Sequence, residues 1–555
     1  LGAFTAAASQ PVENSADVIV PASLVPPDAQ AAMRERVPPS WTEEIPEGPT
    51  GVVMKTLQNG IKVNYRPCEA ESQRAHLRVT VPSGRMTELK PGALALGART
   101  MQEGGAMLDW TREQVELFCV DHLIMAEIAC NEEFLLMEFV FPTSKVGSGT
   151  DDVTGMEGVF QILHSLLHNL KWEDDALQRA KGAFRQTHEQ VGKSLEAAAA
   201  EHLLASMSGH DARFLSVPPE HIEALTLEDV KTAVTRFLKT HNIEISLSGD
   251  FSPAEVDALS LQYLGTIPES RLDEPLPPIA APSAGPVPTR DLNLRVPDSD
   301  ARAVAYVAGA APNKWGIMAD GKPAIATGPD AFADGDKEAA KGPSGLMAKW
   351  RQAFSSSPAV PGFRSEGHRV YQSHPLFPVV TLQLLQEVLN RRLFSTVRER
   401  KRLTYDANMH LTSFERMAGG WYLVTVTAKP ELAQQALDAC KETLEAARTW
   451  DPISRDNLQS AAFELCSKHA GAMQTNRYWV DLMSGLQLGV MPDKDERYIA
   501  DFIPIVQAIQ VHDLQAMLAC LATEEGQERW TCIGISGGDQ PVDEAGHSAP
   551  SLSRR

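Results

Sequence analysis

The chain has 555 residues, 43% of them hydrophobic and 6% aromatic, and a formal net charge of −21. That length exceeds one hydrophobic core and predicts two or three domains, while the acidic balance argues against nucleic acid and anionic membrane as partners. No apolar run reaches a membrane span, and seven dispersed cysteines without a C-x-x-C pair predict reduced thiols, not a disulfide framework or thiolate zinc site.

In chain order, residues 1–50 are rich in Ala, Pro and Ser and read as a linker or disordered segment. The chain opens at Leu1 and not Met, which reads as a fragment or processed product, so its start says nothing of compartment. A first module is expected over 51–268. Asn59-Gly60 marks a tight turn into a strand alternating Ile61, Val63 and Tyr65, and "HLRVTVPSG" supplies a second strand. Thr111 and Gln114 occupy capping-box positions at a helix start, and Gly104-Gly105 reads as a turn.

The segment "ILHSLLHNLKW" (Ile162–Trp172) sets His164 and His168 one helical turn apart, the spacing of the paired ligands in H-E-x-x-H. Ser165 stands where that motif needs its glutamate. At 100° per residue, Val159, Phe160, Ile162, Leu163, Leu166, Leu167 and Leu170 make one apolar face. Both histidines fall opposite it with Gln161, Ser165, Asn169 and Lys171, so they are expected to be solvated helix histidines with no catalytic metal. Residues 159–170 and 176–208 read as helices. Thr226 and Asp229 cap another, which runs into the strand "IEISLSGDF".

A Pro-rich linker at 269–291 precedes a second module over 292–538. Within it, 313–345 is Gly/Ala/Asp-rich and reads as a mobile insertion. Leu384, Leu385, Val388, Leu389 and Phe394 mark an apolar-periodic helix leading into "STVRERKRLTYDAN", and Gly419-Gly420 precedes the strand "WYLVTVTA". Trp421, Tyr422, Tyr478 and Trp479 read as core. Residues 539–555 read as a disordered tail. Both modules end in a helix followed by a strand that stops at glycine, with Asp229 aligning on Asp513, which points to a duplicated domain. The expected class is α+β: two homologous domains, each a mostly antiparallel sheet packed against helices.

Five segments carry a resemblance: "TREQVELFCVDHLI", "DSDARAVAYVAGAAPNKWG", "RLTYDANMHLTSFERMAGGWYLVTVTAKP", "NRYWVDLMSGLQ" and "RWTCIGISGG". Together they resemble the C-terminal half of chloroplast stromal processing peptidases, members of the pitrilysin/insulinase class of zinc metallopeptidases. The resemblance implies a clamshell of homologous domains around a closed chamber, this chain supplying the last two. In that class the first domain carries H-x-x-E-H. Two histidines and a downstream glutamate bind zinc, and the inner glutamate activates a water whose pKa zinc lowers towards ~7.

No H-x-x-E-H occurs in this sequence. The best-matching stretch, "GALALGART", places Ala95 and Arg99 at the histidine positions and Ala98 at the glutamate position, so the chain is expected to bind no zinc and to be inactive alone. Zinc is expected in an N-terminal catalytic half. The segment holding Arg398 and Tyr405 resembles an R-x6-Y pair of the class, which implies that both reach the substrate peptide. The implied setting is the plastid stroma, and the implied partners are that catalytic half and precursor polypeptides with basic transit peptides, which suit an acidic chain. The alternatives are a stand-alone, non-catalytic scaffold or binding subunit of the same fold and a bacterial-type relative outside plastids.

Overall fold

The computed structural model describes residues 18–36, 39–45, 50–107, 109–144, 153–279, 281–282, 291–297, 300–325, 371–404, 406–490, 497–521 and 529–537. The first half holds α1 (Pro27–Arg36), β1 (Trp41–Ile45), β2 (Val53–Leu57), β3 (Lys62–Pro67), β4 (Arg74–Val81), α2 (Ala93–Gly104), α3 (Arg112–Asp121), β5 (Met125–Cys130) and β6 (Leu135–Pro142). There follow α4 (Gly155–His168), α5 (Asp174–Val191), α6 (Leu195–Met207), α7 (Pro219–Ala224), α8 (Leu227–Phe237), β7 (Glu244–Gly249) and α9 (Pro253–Leu259). The second half holds β8 (Asp291–Val296), β9 (Ala303–Ala311), α10 (Phe377–Leu393), β10 (Ala407–Leu411), β11 (Gly420–Ala428), α11 (Ala433–Arg448) and α12 (Arg455–Ala472). It closes with α13 (Asn476–Met483), α14 (Arg497–Ala508), α15 (Val511–Ala519) and β12 (Arg529–Ser536).

Alternation along the strands decides which face meets the helices. On β4, Ala75, Leu77, Val79 and Val81 enter the apolar core while His76, Arg78 and Thr80 take the opposite face. The first sheet runs β1-β2-β3-β7-β4-β6-β5 and the second β10-β11-β9-β12-β8. Without the two leading strands, the first order is β3-β7-β4-β6-β5, which matches β8-β12-β9-β11-β10 strand for strand. Each sheet has one parallel pair, β3 with β7 and β8 with β12, and is otherwise antiparallel. The capping boxes correspond as well: Asp229 at the start of α8 and Asp513 at the start of α15 occupy the same cap position. The chain is a duplicated α+β unit.

The two units exchange helices. α6 follows the first module's helices in sequence, yet Leu195, Ala199 and Leu203 pack on Val304, Tyr306, Trp530 and Cys532 of the second sheet. A Cβ at Gly534 would sit 3.0 Å from that of Ala199, so helix and strand meet closely. In return α13 lies on the polar face of the first sheet, where Trp479, Leu482 and Met483 cluster with Val52. Asn64 donates its amide to the Met483 carbonyl at 3.1 Å, and the Gln487 amide donates to Asn64 at 2.6 Å. Glu244, fully buried on β7, accepts from the backbone N–H groups of Gly485 and of Gln487, the latter at 2.7 Å. A second carboxylate acts alike: Glu133 accepts from the backbone of Glu415 (2.7 Å), Arg416 (2.9 Å) and Met417 (2.8 Å). Buried carboxylates of one unit thus hold backbone donors of the other.

Several expectations need correction. The stretch 1–50 is not all linker: Trp41–Ile45 pairs with β2, and Leu24 and Val25 are fully buried. The helix expected over 176–208 breaks at Gly192, and Ser194 caps α6 afresh. The insertion expected over 313–345 does not begin at 313, because Asn313 accepts from the backbone of Trp315 (2.9 Å) and Ile317 (3.0 Å) and donates to Met417 (2.9 Å); 326–345 lie outside the described residues. In the Pro-rich linker, Ile279 is buried with Met86, Phe214 and Met417, while 280 and 283–290 lie outside the described residues. Phe394, counted as part of an apolar face, is 42% exposed. The tail at 539–555 also lies outside the described residues.

Candidate functional site

The helix matching the zinc-motif segment is α2. Gly92 adopts φ 82° to start it, and the Glu88 carboxylate accepts from the N–H groups of Gly92 (2.6 Å) and Leu94 (2.9 Å). Burial lifts the Glu88 carboxyl above its ordinary range, against the pull of those bonds. On α2, Ala95 is half-buried, Ala98 is buried, and Arg99 points to solvent and pairs with Glu103 at 2.6 Å. A Cβ at Gly97 would lie 2.6 Å from Val234 and 2.9 Å from the Val230 carbonyl, so α8 crosses α2 at contact distance. Gly97 thus lies at a helix crossing, while Ala95, Ala98 and Arg99 share a different side of α2 and carry neither carboxylate nor imidazole. Among the described residues, no group of three His, Cys, Asp or Glu side chains converges as a metal site.

One histidine of the pair differs from its expected setting. His164 is 1% exposed, and Ser165 and Gln161 are buried beside it. Its Nδ1–H donates to the Tyr263 carbonyl at 2.7 Å, which leaves Nε2 unprotonated in the neutral ring. Gln161 accepts from the Leu24 N–H at 2.7 Å and from Ser23 at 3.0 Å. The N-terminal strap and the residues after α9 therefore cover the face that the helical pattern assigns to solvent. His168 is exposed, as the helical pattern expects, with its ring 5.8 Å from that of His164. Burial lowers the pKa of both, and the positive Arg36 adds to this at His168. His164 is a packing histidine, and His168 stays at the surface.

Arg398 lies in the π-helical turn Phe394–Arg400, exposed, its guanidinium 4.6 Å from the Phe394 ring centre. It joins no ion pair among the described residues, whereas Lys401 in the same basic run pairs with Glu442. Tyr405 lies outside the described residues. Its neighbour Thr404 is anchored, its hydroxyl within hydrogen-bond distance of the carbonyls of Asp406 (2.8 Å) and Thr427 (2.5 Å).

The richest polar surface was not visible in the sequence. On the face of the first sheet covered by α13, Glu138 meets His76 (3.3 Å), Arg78 (2.7 Å) and Arg477 (3.7 Å), and Arg78 also meets Asp481 at 2.5 Å. The bond to His76 and the charge of Arg78 hold the Glu138 carboxyl down at about 2. This network fastens α13 to the sheet. Trp421 forms edge-on contacts with Phe214 at 5.2 Å and Phe414 at 5.6 Å, and Tyr422 and Trp479 are buried. Gly105 (φ 69°) ends α2 and Gly419 (φ 74°) turns into β11, so both glycine pairs serve turns.

Comparison with known proteins agrees with this architecture. The family described as "Peptidase M16 inactive domain" matches residues 224–316 and 372–464. The chloroplastic stromal processing peptidase of Arabidopsis thaliana is 34% identical over 542 residues, covering 95% of this chain and 41% of that protein. The chain spans less than half the length of the curated relatives it matches. A solved peptidase M16 inactive domain from Pseudomonas fluorescens superposes with a TM-score of 0.64 at 14% identity, over 88% of this chain and 98% of that one. The periplasmic protease PqqL of Escherichia coli superposes with a TM-score of 0.62 at 12% identity, over 96% of this chain and 50% of that one. The chain belongs to the M16, or pitrilysin/insulinase, peptidase family and is similar to part of the stromal processing peptidases within it.

Proposed function

We propose that this chain is the non-metal-binding C-terminal half of a zinc metalloendopeptidase that processes precursor proteins in the plastid stroma. The observation that carries the reading is the similarity to stromal processing peptidase over 95% of the chain, within 41% of that protein's length. Ala95, Ala98 and Arg99 on α2 support it, since none of these side chains offers a zinc ligand or a general base. The chain's work in this reading is to close a substrate chamber opposite a zinc-bearing half and to bind extended, basic precursor segments. The −21 charge draws such segments in over long range. Arg398 and Tyr405 are assigned to the substrate, as donors to a peptide carbonyl gaining negative charge.

The test combines the chain with the metal-binding half of the Arabidopsis relative and follows cleavage of a transit-peptide-bearing precursor. Cleavage that needs both halves supports the reading, and equal cleavage without this chain refutes it. A stand-alone binding subunit of the same fold is the second reading. It is favoured by the match to nearly all of the solved Pseudomonas chain, which is described as an inactive domain. Stable precursor binding with no cleavage in the combined assay would support it.

A further inference from the structure

Among the described residues, β5 is an edge strand of the first sheet and β10 of the second, and these strands correspond in the duplicated fold. An edge strand presents unpaired backbone donors and acceptors to any extended chain. In both units a side-chain amide fills that place. Gln102, near the end of α2, accepts from the Ile128 N–H at 2.7 Å and donates to the Ala126 carbonyl at 3.3 Å. Asn390, near the end of the corresponding helix α10, accepts from the Met409 N–H at 2.6 Å and donates to the Met409 carbonyl at 3.3 Å. Gln386 adds a bond to that carbonyl at 3.0 Å. A carboxamide carries the same donor and acceptor as a peptide unit, so each amide stands where one unit of a further strand would lie.

The surroundings of β5 indicate what the edge would take. Glu127 is exposed on β5, opposite Glu138 in register, and joins no ion pair among the described residues. At the Met125 end of β5 a groove of about 440 Å³ runs over the ends of β6 and β4, lined by Leu123, Met125, Val140 and Pro142 together with Ser72 and Arg74. Leu123 and Met125 are 58% and 59% exposed, and Leu123 holds a left-handed backbone at φ 51°. A second copy of this acidic chain would set carboxylates against Glu127. An extended segment with a basic residue at Glu127 and an apolar one in the groove is complementary.

We propose that the outer edge of β5 accepts an extended basic and apolar polypeptide, and that the Gln102 amide is a built-in plug which this segment must displace. The proposal rests on the polypeptide-handling function given above and assigns it a specific edge. Asn390 plugs β10 in the same way.

The test measures binding of a fluorescein-labelled peptide of alternating valine and lysine to the 555-residue chain by anisotropy, with hydrogen exchange followed at 125–130. Gln102→Ala removes two competing bonds and should tighten binding by about fivefold while the peptide slows exchange at β5. Adding Glu127→Lys should cancel the gain. Gln102→Met, which keeps the bulk but cannot pair, should move binding in the same direction and serves if the alanine variant unfolds. Unchanged affinity and exchange in a folded Gln102 variant would overturn the plug, as would a gain that survives Glu127→Lys. Self-association of Gln102→Ala without peptide binding would overturn the occupant. Peptide bound by the wild type but indifferent to Gln102 would sink this edge alone and leave the function above standing.

Discussion

Trp479→Ala tests the exchange of helices between the units. Trp479 belongs to α13 in the second half of the sequence but is 2% exposed against the first sheet, beside Val52, Leu482 and Met483. The Arg66 guanidinium stacks 3.5 Å from its ring centre, and its indole N–H donates to the Met473 carbonyl at 2.9 Å. Truncating a buried aromatic of this size costs about 3–5 kcal/mol, and losing the stacked guanidinium adds to that. Urea unfolding should show the loss as a lower midpoint. Hydrogen exchange should rise in β3, β4 and β7, the strands under α13, well before it rises in β9 and β12. A loss below about 1 kcal/mol, or faster exchange confined to 476–483, would show that α13 does not hold the first sheet.

Acid should loosen the same interface. Glu138 is held at about 2, mainly by His76 and then by Arg78, against an ordinary value of 4.5. A carboxyl depressed in the folded state stabilises it above the ordinary value, and that share fades as pH falls from 4.5 towards 2. The share amounts to about 3 kcal/mol, and Glu138→Gln should flatten the acid limb of a Tm-against-pH curve between those values. Gly97→Leu should lower Tm by forcing α8 off α2, at a cost of about 1–3 kcal/mol; an unchanged Tm would mean the crossing gives way freely. In the assembled peptidase, Arg398→Ala and Tyr405→Phe should each lower precursor turnover by about tenfold or more with an unchanged melting curve, and wild-type turnover would remove that residue from the site.

The sequence showed the fold through features that are local. Strand alternation in "RAHLRVTV", the capping boxes at Thr226 and Thr111 and the shared endings at Asp229 and Asp513 each depend on neighbouring residues. The helical wheel misplaced His164 because its cover comes from Leu24 and Tyr263, distant in sequence, and a wheel sees only its own helix. The swapped helices were equally hidden, since chain order assigns α6 and α13 to the wrong sheets. Gln102 and Asn390 are single amides on helix surfaces and read as solvated until the fold sets a strand edge beside each. Glu133 and Glu244 gave no signal, because backbone donors leave no mark in a sequence. The gap at Ala95, Ala98 and Arg99 needed a family pattern to be noticed.

The most direct test of the central claim is zinc content after the purified chain is dialysed against a chelator and then against zinc-free buffer. The account predicts far less than stoichiometric zinc, with no precursor cleavage by the chain alone. Stoichiometric, tightly held zinc accompanied by cleavage would contradict it.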